Sequence, residues 1–117
     1  MRLNEIGFDD ARPVDGYGPG FFRIGGEVVE GAVLLSSEGV VPWGGPEDRA
    51  ALLALAGKVD VLLIGMGAEL APLPRATREA LEAADMAPEP MGSPAAARTY
   101  NVLLAEGRRV AVAMLPV

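Results

Sequence analysis

The chain has 117 residues, half of them hydrophobic and only 5% aromatic. One hydrophobic core packed mainly by Ala, Leu and Val is therefore expected. Ten basic against sixteen acidic side chains give a formal charge of −6, which argues against nucleic acid or an anionic membrane surface as a partner. There is no cysteine and no histidine, so disulfides, thiol nucleophiles, Ser-His-Asp triads and thiolate or imidazole zinc sites are excluded together. No metal site and no cofactor are expected.

The opening Met1-Arg2-Leu3-Asn4-Glu5 lacks the apolar core of a signal peptide, and no apolar run approaches the ~20 residues of a spanning helix. A cytoplasmic location without direct membrane insertion is expected. Asp9-Asp10 and Asp15 read as loop. Phe21–Ile24 and Glu27–Glu30 flank Gly25-Gly26. Two glycines that tolerate positive φ between strand-like runs signal a hairpin. The second strand is expected to continue through Gly31 to Leu35. Ser36–Gly39 then turns the chain into Val40-Val41-Pro42-Trp43.

Beyond this point helix and strand alternate. Pro46 to Ala56 reads as a helix, with Pro46 in its first turn, Glu47-Asp48 complementing the dipole and Gly57 ending it. Val59 to Ile64 is nearly all apolar and β-branched, the mark of a central strand. Pro74 to Ala84 is a second helix with Leu73, Ala80, Leu81 and Ala84 on its apolar side. Met86 to Met91 contains Pro88 and Pro90, which confines it to an edge strand. Ser93-Pro94 opens a third helix, with Ser93 as the cap, running to about Glu106 and ending at Gly107. Val110 to Leu115 is the closing strand. The pattern predicts a single α/β domain over residues 1–117. It has three layers, with a central mixed, mostly parallel sheet, helices on both faces and an N-terminal β-hairpin.

Two groups of residues are candidates for binding. Gly65-Met66-Gly67 follows the most buried strand, where ligands of open α/β sheets meet free backbone amides; a plain structural turn is the simpler reading. The amides at Ser93 open a helix and favour anions, as every helix start does. Arg98, Thr99, Tyr100 and Asn101 lie one turn on, although four consecutive residues cannot share a helical face. The Tyr100 ring could equally pack in the core while its hydroxyl finds a partner. The second group is Tyr17, Pro19, Phe21, Phe22 and Arg23, where glycines flank a proline, together with Trp43. Its aromatics either pack inward or form an exposed patch of the kind that marks protein partners. Asp60, polar within an apolar strand, is either the exposed strand start or held by an arginine such as Arg108. No second carboxylate stands at a spacing suited to acid-base work, and no catalytic residue is assigned.

Three blocks carry a resemblance: Tyr17-Gly18-Pro19-Gly20-Phe21-Phe22-Arg23-Ile24, Asp60 to Gly67, and Arg98 to Val110, with Glu89-Pro90-Met91 before the last. Together, over roughly residues 14–116, the chain resembles the small single-domain family that includes mitochondrial complex I assembly factor 3. That resemblance implies a three-layer fold with a mixed five-stranded sheet and no established enzymatic activity. It also implies a role in respiratory-complex assembly through protein contacts. Many relatives carry a cysteine near the position of Ala97 and a Gly-Thr-Gly turn in place of Gly65-Met66-Gly67, so thiol or hydroxyl chemistry there is ruled out for this chain. The leading expectation is a non-catalytic protein-binding factor that assists assembly of a respiratory or other membrane complex. The alternatives are a small-anion binder or unrecognised enzyme at the strand-end glycines, and a structural homo-oligomer.

Overall fold

The computed structural model describes residues 12–117; the loop expected at Asp9-Asp10 and the Met1–Glu5 stretch lie outside them. Three short strands come first, β1 (Val14–Gly18), β2 (Phe21–Ile24) and β3 (Glu27–Glu30), and form a separate antiparallel sheet in the order β1-β2-β3. The Gly25-Gly26 hairpin is present, with both glycines at positive φ. The second hairpin strand does not run on to Leu35. Gly31 adopts φ +84°, a conformation that breaks a strand, and the chain leaves for a different sheet. β1 falls where a loop was expected around Asp15, with a bulge between Val14 and Gly16.

The central sheet has five strands: β4 (Val33–Ser36), β5 (Gly39–Pro42), β6 (Val61–Met66), β7 (Pro88–Met91) and β8 (Val110–Leu115), in the order β5-β4-β8-β6-β7. β6 pairs parallel with both β7 and β8, whereas β4 pairs antiparallel with β5 and β8. Four strands thus point one way and β4 alone opposes them. The sheet is mixed and mostly parallel, as the sequence predicted.

Alternation along the two central strands builds two cores. Leu63, Val110, Val112 and Met114 face one side, joined by Phe22, Ile24 and Val14 of the small sheet and by Ala96, Ala97 and Tyr100. The last three belong to α3 (Ser93–Ala105). Leu62, Ile64, Ala111 and Ala113 face the other side and meet Leu52, Leu73, Leu81 and Trp43. That side is covered by α1 (Arg49–Leu53) and α2 (Arg75–Ala83). Continuous apolar runs in β6 and β8 are what burial on both faces requires.

The helix limits follow from capping. α1 starts three residues later than Pro46 because Asp48 is its N-cap, accepting from the Ala51 N–H at 3.5 Å and from the Gly44 N–H at 3.0 Å. Its last turn tightens into i→i+3 bonds as far as Lys58. α2 and α3 close with residues in the left-handed region, Asp85 (φ +64°) and Gly107 (φ +79°). In each, the amide one residue further on returns to the carbonyl of Leu81 or Leu103, the helix-ending pattern of a Schellman motif. Thr77 of α2 is buried and donates its hydroxyl to the Pro46 carbonyl at 2.7 Å, tying α2 to the entry of α1.

Candidate functional site

The strand-end group is divided by the fold. Gly65 and Met66 are not a turn but the last residues of β6, and only Gly67 (φ +99°) lies beyond it. Gly65 is needed because α3 presses on this strand. A Cβ there would lie 2.7 Å from Ser93 Oγ, 2.9 Å from Ser93 Cα and 3.0 Å from Met114 Cγ. Met66 points to the opposite side and lines a cleft of about 290 Å³ with Gly44, Pro46, Glu47, Pro72 and Pro74.

Ser93 does not cap α3; Gly92 holds that position, with no side-chain cap bond. The fully buried Ser93 instead joins the ends of two strands. Its Oγ accepts from the Gly67 N–H at 2.9 Å and donates to the Leu115 carbonyl at 2.6 Å, while the Ser93 N–H donates to the Gly67 carbonyl at 2.7 Å. The backbone groups expected to stand free at the strand end are therefore spent inside the protein. The chain at Ala68-Glu69 also packs over Gly92 at the start of α3.

The polar run of α3 divides as well. Arg98 is exposed and Thr99 half-buried. Tyr100 is fully buried in the α3-side core, and its Oη has no hydrogen-bond partner among the described residues. The ring-in-core alternative holds, but without the expected partner for the hydroxyl. Burial pushes the Tyr100 phenol up to about 12, because the phenolate would be charged in an apolar surround. Asn101 belongs to neither reading. Its Oδ1 accepts from the Val14 N–H at 2.8 Å and its Nδ2 donates to the Val14 carbonyl at 2.9 Å, so one carboxamide imitates a neighbouring strand and fastens β1 to α3. Asp60 is held by Arg109 rather than Arg108, with Oδ1 2.7 Å from Nη2 and Oδ2 3.1 Å from Nε. The Arg109 hydrogen bond keeps this exposed carboxyl below its usual range.

The aromatic group splits by sheet face. Phe22 is 1% exposed and Trp43 4%, so both are core residues and not partner contacts. The Trp43 Nε1 is buried without a described partner. Strand register explains Phe21. It lies opposite Glu30, and the next cross-strand row pairs Gly16 with Arg23 and Arg23 with Val28. Residues of these rows occupy the face turned away from the core. Phe21 is half-buried because its ring lies across Gly18, where a Cβ would come within 2.5 Å. Val28, diagonal to it, is 54% exposed. Tyr17 faces the core side with Phe22 but sits at the sheet margin, 46% exposed; Pro19 and Arg23 are exposed. Val28 and Glu30 were not singled out in the sequence. The signal was present in the hairpin register set by Gly25-Gly26, which places Val28 beside Arg23 on the outer face.

A three-stranded sheet laid beside one helix on a mixed five-stranded sheet defines the class, a three-layer α/β domain. The chain belongs to the family described as Protein of unknown function (DUF498/DUF598), whose model matches residues 14–115. It is 56% identical over 116 residues to an uncharacterized protein of Rhodobacter capsulatus, covering 99% of this chain and 94% of that protein. A crystal structure described as an outer membrane protein from Bartonella henselae matches with 37% identity and TM-score 0.82, over 91% of this chain and 95% of that one. The solution structure of a Bordetella pertussis protein, described as a Mth938-like domain, matches with 31% identity and TM-score 0.73, over 99% of this chain and 92% of that one. Among the described residues no helix is long and apolar enough to cross a membrane.

Proposed function

We propose that this chain is a non-catalytic, cytoplasmic protein-binding factor that assists assembly of a respiratory or other membrane protein complex, and that its partner surface is the outer three-stranded sheet. The observation that carries this reading is the Phe21–Val28 diagonal, two apolar side chains displayed on a sheet face directed away from the core. Arg23 and Glu30 stand beside them on the same face. Such an apolar centre with a polar rim is the anatomy of a protein interface. The assembly role rests on the sequence resemblance. The strand-end alternative is weakened because Ser93 consumes the Gly67 amide and carbonyl.

The test is affinity purification of the tagged chain from its own cells in mild detergent, comparing wild type with Phe21→Ala and Val28→Ala. Recovery of membrane-complex subunits by wild type, and their loss from the folded variants, is expected. A folded double variant that keeps every partner would remove this surface from consideration.

A further inference from the structure

The free margins of the two sheets are unequal. At one margin of the central sheet the Trp43 N–H donates to the Ala32 carbonyl at 3.1 Å. Since backbone groups alternate along a strand, Gly39 and Val41 bond inward, and Val40 and Pro42 face out. At the other margin Pro88 and Pro90 have no N–H, so the amides that hold β7 to β6 come from Glu89 and Met91 and the prolines face out. Proline at a margin blocks further strand pairing. In the small sheet, the Asn101 carboxamide already occupies both backbone groups of Val14 on β1.

β3 is different. The Gly31 N–H donates to the Gly20 carbonyl at 2.9 Å, so Val29 and Glu27 bond toward β2, and Val28 and Glu30 turn their N–H and C=O groups outward. β2 is the neighbour of β3 among the described strands, and no proline interrupts Glu27–Glu30.

We infer that the β3 margin takes a short extended segment of a partner protein, bearing lysine or arginine, as a fourth strand; this deepens the protein-binding reading and rests on it. Main-chain bonds from Val28 and Glu30 supply the ladder, and alternate side chains supply selectivity. The charge of this strand names the occupant. Glu27 and Glu30 are both exposed at the ends of this strand, and Glu27 meets Arg12 at 3.6 Å while no described cation pairs with Glu30. A second copy of this chain would bring its own two glutamates onto the same ladder, where like charges repel, and the chain carries −6 overall. A basic strand from a different protein meets the same ladder with attraction. The exposed Val28 and half-buried Val29 offer one apolar contact on each face.

The experiment titrates a blocked peptide of alternating valine and lysine into the isotopically labelled full chain, with an alternating valine and glutamate peptide as control. The amides of Val28 and Glu30 are expected to shift and to exchange more slowly, while the Val29 amide, already bonded to β2, changes less. Glu27→Lys with Glu30→Lys should weaken the lysine peptide by about tenfold, the scale of two exposed ion pairs. Glu30→Pro removes one ladder donor and should abolish binding; if it does not fold, the double lysine variant carries the test. The inference is overturned if the peptide does not bind at about 1 mM, if the shifts fall elsewhere, or if both peptides bind alike. Should partners captured from cells depend on Phe21 yet leave the β3 amides unmoved, the β3 inference falls and the protein-binding reading stands.

Discussion

The two sheets of this molecule are finished to different degrees. The central sheet is the more finished: most of both faces is covered, its outer margins carry prolines, and the ends of β6 and β8 are joined through Ser93, with Val41 of β5 left 48% exposed. The small sheet is covered on one face only. Phe22, Ile24 and Val29 pack it down, while Phe21, Val28, Arg23 and Glu30 face away. The contrast teaches that the part of the fold resembling a ligand-binding α/β sheet has spent its polar groups internally. The less elaborate hairpin retains an exposed apolar side chain and outward backbone groups.

The sharpest way to break the comparison is at neighbouring phenylalanines. Phe22→Ala empties a core site and is expected to cost about 3–5 kcal/mol in chemical denaturation. Phe21→Ala should change stability little while changing partner recovery. If the two variants destabilise equally, the small sheet has no distinct outer face. Next in size is the clip between β1 and α3. Asn101→Leu leaves the Val14 N–H and C=O without their partners and is expected to cost about 1–3 kcal/mol, with faster amide exchange concentrated in β1. Uniform loss of protection across the chain would contradict its role as a local fastening.

Tyr100 gives a smaller effect of opposite sign. Its buried, unpartnered hydroxyl opposes folding, so Tyr100→Phe should stabilise by about 1 kcal/mol and raise the melting temperature. The folded phenol lies at about 12 against an ordinary 10.0. Because the folded value is raised, wild-type stability is unaffected by this group below pH 10 and falls as pH climbs from 10 toward 12, where the unfolded chain ionises and the folded one resists. Tyr100→Phe should lack that alkaline component, which difference spectroscopy of the phenolate reads directly. Smallest is Phe21→Ala itself, within about 1 kcal/mol of wild type.

Much of the scaffold was legible because local chemistry wrote it. Gly25-Gly26 announced the hairpin, Pro74 and Pro94 opened α2 and α3, Gly107 closed α3, and the runs at Val59–Ile64 and Val110–Leu115 marked strands buried on both faces, the first observed two residues later at Val61–Met66. What escaped depends on distant partners. Nothing near Ala32-Val33 shows that the chain changes sheets at Gly31, since only the positive φ there breaks the run. Gly65 looked like a turn because its reason, the close approach of Ser93, lies 28 residues away in the chain. Asn101 bonds Val14 across 87 positions, a pairing no local pattern encodes. The candidate site was half legible: the Tyr17–Arg23 stretch was picked out, but the split of Phe21 from Phe22 required the strand register.

The proposal that the outer sheet face binds protein, while the adjacent core residues only hold it in place, stands or falls on one comparison. Mild-detergent purification of wild type beside the Phe21→Ala and Val28→Ala double variant, with folding of each checked by circular dichroism, addresses it most directly. The claim expects a folded variant that loses membrane-complex subunits recovered by wild type. A folded variant that recovers the same subunits in the same amounts would contradict it.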